Sequence, residues 1–131
     1  MTPVPALLVM HADLSSALLK AAMQLYGTVE GVESLSNEGL SRDDLEKAIE
    51  SRVARWTAGG LVLTDIFGGS CHLCGSKAAR EHGDVIVVSG LNLPILLDYL
   101  HNREAYSVRD LAERLKQKGQ SSIRLQYPPA A

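Results

Sequence analysis

His11 and Asp65 are the residues whose types and settings best support chemistry in this chain. Each ends an apolar run: Ala6 to Met10 stops on the histidine, and Leu61 to Thr64 stops on the aspartate, followed by Ile66-Phe67-Gly68-Gly69-Ser70. Neutral imidazole has one nitrogen lone pair and one N–H. A carboxylate that accepts the hydrogen fixes the tautomer, orients the ring and strengthens the other nitrogen as a nucleophile. Backbone amides of Gly68, Gly69 and Ser70, at a turn leading into a helix, supply donors for an anion, and the Ser70 hydroxyl adds another. Such a set suits the carrying of a phosphoryl group, whose transfer needs in-line positioning and charge neutralisation more than covalent work. Taken singly, each piece also fits a structural role: a satisfied histidine after a strand, or a Gly-Gly-Ser turn with a helix cap. Phe67 and Asn92, close to the same segment ends, are candidates for a partner surface.

For these groups to meet, the two apolar runs must lie in one parallel sheet and open onto the same edge, where ligands of such folds sit. The pattern of the chain predicts this. Asp13 to Tyr26 reads as a helix with Leu14, Leu18, Ala21, Ala22 and Leu25 on one face and Gly27 as its stop. Val29 to Leu35 is a more polar strand, expected near a sheet edge. Ser41 caps a helix to about Trp56, with Asp44 as part of a capping box. After Gly59-Gly60 comes the strand Leu61 to Asp65, then a helix from Ser70 to near Gly83 and a third apolar strand over Val85 to Ser89. Asn92 caps a helix from about Leu93 to Leu100 with Pro94 in its first turn, where a missing N–H costs little. Ser107 and Asp110 open a final helix to about Lys118, closed by Gly119, and Ile123 to Tyr127 is placed for a short last strand. Strands alternating with helices predict a three-layer α/β fold with a mostly parallel sheet.

Bulk properties narrow the function classes. The 131 residues fit a single domain over 1–131, and 46% hydrophobic content supplies its core. A net charge of -2 gives no electrostatic reason to expect nucleic acid or an anionic membrane as partner, and 5% aromatic content leaves little for base stacking. No apolar stretch approaches the length needed to span a bilayer, so direct membrane insertion is not expected. Met1-Thr-Pro-Val-Pro lacks the basic start and long apolar run of a signal peptide. A cytoplasmic location follows as the expectation, with Cys71 and Cys74 as reduced thiols.

Three segments, ALLVMHADLSSALLKAA, GLVLTDIFGGSCHLCG and VIVVSGLNLPILLDYL, cover residues 6 to 100 in order and spacing. Together they resemble the IIA component of the mannose family of the bacterial phosphoenolpyruvate-dependent sugar phosphotransferase system. The resemblance implies a doubly wound domain with a four-stranded parallel core, and a homodimer in which an antiparallel C-terminal strand is exchanged between subunits. It also implies a phosphotransferase component working through a phosphohistidine. His11 matches the phosphorylated histidine, Asp65 the carboxylate that hydrogen-bonds it, Ser70 the hydroxyl near the phosphate, and Gly68 and Gly69 the amide-bearing turn. The donor so implied is the phosphohistidine of the carrier HPr, and the acceptor a IIB component that serves sugar uptake. No metal or organic cofactor enters this step. A regulatory phosphorelay without transport uses the same histidine and is the alternative.

The chain departs from the family pattern twice. Ala12 stands where the family usually has glycine, which matters if that position needs a positive φ. Cys71-His72-Leu73-Cys74 stands where proline commonly follows Gly-Gly-Ser. A cysteine at a helix N-terminus is expected to have a lowered pKa, so Cys-x-x-Cys raises a thiol redox or sensor role as a further alternative. The same pair offers zinc only two ligands, with no second pair in the sequence. His72, His82 and His101 read as surface or helix-end residues, and Arg109 to Lys118 as a solvated helix face.

Overall fold

The computed structural model describes residues 2–130. Among them, strand β1 (Ala6–Met10), helix α1 (Leu14–Tyr26), β2 (Val32–Ser36), α2 (Arg42–Val53), β3 (Gly60–Thr64), α3 (Ser70–Glu81), β4 (Val85–Ser89), α4 (Leu93–Asn102) and α5 (Val108–Ser121) follow in that order. The four strands form one parallel sheet in the order β2-β1-β3-β4. The expected α/β class, with helices on both faces, is what the chain adopts. The polar strand β2 lies at an edge, while β1 and β3 fill the centre and are buried along their full length.

Alternation along the central strands builds two cores. Ala6, Leu8, Met10, Leu61 and Leu63 point to one face, where α1, α4 and α5 add residues such as Ala22, Leu96, Tyr99, Leu111 and Leu115. Leu7, Val9 and Val62 point to the other, where α2 and α3 add Leu45, Ile49, Val53, Cys71, Cys74 and Ala78. Continuous apolar runs are therefore the signature of strands covered on both sides. Burying a side chain such as Leu8 or Leu63 contributes about 1.5–3 kcal/mol.

Several boundaries move from those expected. β2 starts at Val32 rather than Val29, and α2 ends at Val53 rather than Trp56. Gly119 does not close α5, which continues to Ser121. A Cβ at position 119 would come within 2.8 Å of Ile95 Cδ1, so this glycine lets α5 approach α4. Among the described residues, 122–130 form no strand within the chain: Ile123, Leu125 and Tyr127 are exposed, with no strand partner. Among the described residues no helix is long and apolar enough to cross a membrane.

Candidate functional site

Register brings the site together. Val9 pairs with Thr64, so β1 and β3 run out side by side and hand the chain to His11 and Asp65. One carboxylate oxygen of Asp65, Oδ2, accepts from the His11 backbone N–H at 3.0 Å and lies 2.8 Å from His11 Nδ1. The other, Oδ1, accepts from Ile66 N–H at 3.1 Å. Burial by itself would raise the Asp65 pKa, but the hydrogen bonds from the His11 backbone and ring outweigh it and hold the carboxyl below its ordinary value. An ionised Asp65 has no proton to give, so Nδ1 carries the hydrogen of the pair. In the neutral ring Nε2 keeps its lone pair. The His11 side chain is 42% exposed, against 12% for Asp65, so the imidazole meets solvent while its carboxylate partner is held inside.

The turn after Asp65 uses its two glycines differently. Gly68 has φ 85°, a left-handed conformation that favours glycine. Gly69 has ordinary extended dihedrals, but a Cβ there would sit 3.1 Å from Ile66 Cγ2 and 3.3 Å from His11 Cε1. The backbone of Gly69 thus lies against the imidazole edge that bears Nε2. Gly69 is the N-cap of α3 and Ser70 its first residue, with no side chain capping the helix. Unsatisfied N–H groups at such a helix start favour an anion. Hydrogen bonds join His11 to Asp65 but not to Ser70, whose position in the first turn is its link to the site.

Ala12 does take the left-handed conformation, with φ 52°. For a residue with a Cβ this costs about 1–2 kcal/mol. Two hydrogen bonds from the loop after β2 hold it there: Ala12 N–H donates to Asn37 Oδ1 at 3.1 Å, and the Ser36 hydroxyl donates to the Ala12 carbonyl. Neither Ser36 nor Asn37 stood out in the sequence, because nothing local ties them to a residue so far upstream.

Cys71 reverses its expectation. It is fully buried, and desolvation first, then the nearby Asp65 charge, push its pKa up to about 11. Burial overrides the helix N-terminus because the thiolate would lie in an apolar layer among Leu7, Val9 and Val62. Cys74 is buried too and shifts the same way, mainly by desolvation. Both cysteines are free thiols. The low-pKa thiol on which the redox alternative rested is absent.

The remaining site candidates divide. Phe67 is 79% exposed and packs against His72 with ring centroids 4.4 Å apart and the planes tilted by 44°. Asn92 is engaged within the chain: its Oδ1 caps α4 by accepting from Ile95 N–H at 2.9 Å, and its Nδ2 donates to Ser122 Oγ at 3.3 Å. His72 is more than a surface residue, since its Nδ1 lies 2.6 Å from Ser89 Oγ, itself 3.0 Å from Thr64 Oγ1. That network ties the ends of β3 and β4 to the Phe67 loop. His82 pairs with Glu50 at 2.6 Å, and His101 packs edge-on against Tyr26. Within Arg109 to Lys118, Arg114 forks onto the buried Asp98 at 2.9 and 3.1 Å rather than only facing water.

Comparison with known proteins decides the family. Residues 6–116 match the family model for the PTS system fructose IIA component, EIIA-man. The chain belongs to the mannose-type EIIA family of the phosphotransferase system. A sorbose-specific EIIA component from Lacticaseibacillus casei is 31% identical over 114 residues, covering 83% of this chain and 80% of that protein. A fructose-specific EIIA component from Bacillus subtilis is 28% identical over 120 residues, covering 88% and 81%. The crystal structure of an EIIA component from Streptococcus agalactiae superposes with a TM-score of 0.87 at 26% identity, covering 92% of this chain and 95% of that one. Membership supports a phosphotransfer role in sugar uptake for this EIIA-family chain.

Proposed function

We propose that this chain is a cytoplasmic phosphohistidine carrier that accepts a phosphoryl group on His11 from phospho-HPr and passes it to a IIB component. The observation that carries the reading is the short contact between Nδ1 and Asp65, which leaves Nε2 as the nucleophile at an exposed sheet edge. The Nε2 lone pair attacks phosphorus in line as the P–N bond of the donor breaks, and the electron pair of that bond returns to the donor imidazole. Positive charge gathering on the His11 ring is stabilised by Asp65. Phosphoryl oxygens held on Nε2 face the Gly69 backbone and the open start of α3, with the Gly68 and Ser70 amides and the Ser70 hydroxyl at hand. The same geometry serves the reverse transfer to the acceptor.

Exposed apolar side chains ring this edge: Leu14, Leu40, Ile66, Phe67 and Leu73. A carrier must seat two partners in turn over one nucleophile, and such a rim suits that task. Phe67 is the stronger docking residue, because Asn92 is committed to its cap. A homodimer by exchange of the tail is part of this reading. β4 is an edge strand, an open groove of about 750 Å³ beside it is lined by Ile86, Ile95 and Leu115, and the tail carries exposed Ile123, Leu125 and Tyr127. An antiparallel tail strand from a second copy would cover that edge.

Incubation with phosphoenolpyruvate, enzyme I and HPr is expected to label the protein with an acid-labile, base-stable phosphate, and His11→Ala to abolish the label. Undiminished labelling of His11→Ala would sink the assignment.

A further inference from the structure

Phosphoryl transfer leaves one nucleophilic group at the site unused, the Cys71 thiol. It lies behind the His11 ring, with Sγ 4.0 Å from Nδ1. With Asp65 it brings one nitrogen, one sulfur and one carboxylate oxygen within 4.8 Å of one another. We propose that His11 Nδ1, Asp65 Oδ2 and Cys71 Sγ form a binding site for a thiophilic divalent cation of the zinc class, and that its occupancy switches off phosphoryl acceptance at His11.

Zinc takes this mixture of donors, with bonds of about 2.0–2.3 Å, which places tetrahedral ligand atoms about 3.3–3.6 Å apart. The observed 2.8 Å from Nδ1 to Oδ2 and 4.0 Å from Nδ1 to Sγ bracket that spacing, and with all three atoms within 4.8 Å of one another, shifts of about an ångström bring carboxylate and thiolate onto one ion. The donors come from the end of β1, the end of β3 and the first turn of α3, so the fold positions them without the ion. Asp65 is fixed by the His11 and Ile66 backbone N–H groups, the kind of outer hydrogen bonding that orients ligands to a metal. The His11 side chain is 42% exposed, so an ion reaches the cluster by displacement of its ring. Carboxylate and thiolate balance the dication, so the buried charge is neutral overall.

Proton balance explains the switch. To bind metal, Nδ1 must give up its hydrogen; in the neutral ring that hydrogen appears on Nε2. Oδ2 thereby recovers the lone pair it had used on Nδ1–H and offers it to the cation. The thiol proton leaves to solvent, so one proton is released per ion. A ring metallated on Nδ1 and protonated on Nε2 has no lone pair for phosphorus. No spacing rule reveals this site, because its residues lie 54 and 60 positions apart and Cys74 takes no part: its sulfur faces the Arg42 carbonyl instead.

The switch rests on the phosphohistidine reading, whereas the binding does not, so the two are measured separately. Cobalt(II) titrated into the chelator-stripped full chain is expected to bind one equivalent with a thiolate charge-transfer band. Zinc(II) should displace it without further proton release, whereas zinc added to the metal-free chain should release one proton per ion in weakly buffered binding measurements. Cys71→Ala should lose the band and weaken binding at least about tenfold, while Cys74→Ala keeps both. Absence of the band from the wild-type chain, or its persistence in Cys71→Ala, overturns the site. Transfer from purified phospho-HPr is then timed with zinc and with chelator, each protein against itself. Zinc should slow the wild-type chain at least about tenfold and leave Cys71→Ala at its own chelated rate. Equal slowing of both overturns the switch. No label in chelator, with the cobalt band present, overturns the carrier reading while the site stands.

Discussion

Four helices begin at the carboxyl edge of the sheet, and they begin in two ways. Those that follow the edge strands are closed by their own side chains: Ser41 accepts from Asp44 N–H at the start of α2, and Asn92 from Ile95 N–H at the start of α4. Those that follow the central strands are not, for Asp13 and Gly69 make no side-chain cap at α1 and α3. Forgoing a cap costs a helix about 1 kcal/mol. The two open helices flank His11, so the caps are missing beside the proposed phosphoryl acceptor and present away from it. Away from that edge α5 follows the capped pattern, with Ser107 accepting from Asp110 N–H.

That contrast can be broken at several points. The largest effect is expected from Asp65→Asn, which keeps the shape but loses the charge that orients the ring. Transfer from phospho-HPr, followed by rapid quench, should slow about 100-fold with the melting temperature little changed. An unchanged rate would remove the orienting role. Gly69→Ser converts α3 to the capped kind and crowds the ring edge that holds Nε2. We expect about tenfold slower transfer without loss of thermal stability; a wild-type rate would mean that the open helix start does not serve the phosphoryl group. At a capped helix the outcome should invert: Ser107→Ala should lose about 1 kcal/mol in urea denaturation with transfer unaffected. A slowed transfer would show that the caps and the site are not separate.

The smallest effect near neutral pH concerns Cys71. Its folded pKa of about 11 stands above that of an unfolded thiol, about 8.5. Between those values the folded state holds the proton more tightly, so this contribution is complete below about pH 8.5 and is lost as pH rises toward 11. Cys71→Ala should flatten the alkaline fall in stability measured by denaturant titration. An unchanged slope would place the thiol outside the apolar layer.

Much of this was legible in the chain itself. Continuous apolar runs marked β1 and β3, because a strand buried on both faces has no room for polar alternation. Ser41, Asn92 and Ser107 announced helix starts, since capping is a contact between residues three apart. Histidine after one strand and aspartate after another pointed to one edge, because parallel strands share their carboxyl ends. Resemblance to a known family then matched those positions to a phosphohistidine site.

What the tertiary structure decided lies at longer range. Gly119 reads locally as a helix stop, yet it is a contact surface for Ile95 on another helix. Cys71 reads as an activated thiol, yet the apolar side chains of β1 and β3 bury it and reverse the shift. Ala12 is held left-handed by Ser36 and Asn37 from a neighbouring loop. Local pattern determined the four sheet strands, the five helices and the capped starts of α2, α4 and α5, since those depend on residues a few positions apart. Dielectric environment and close approach come from elements far apart in sequence, so only the assembled sheet and its two helical layers could set them.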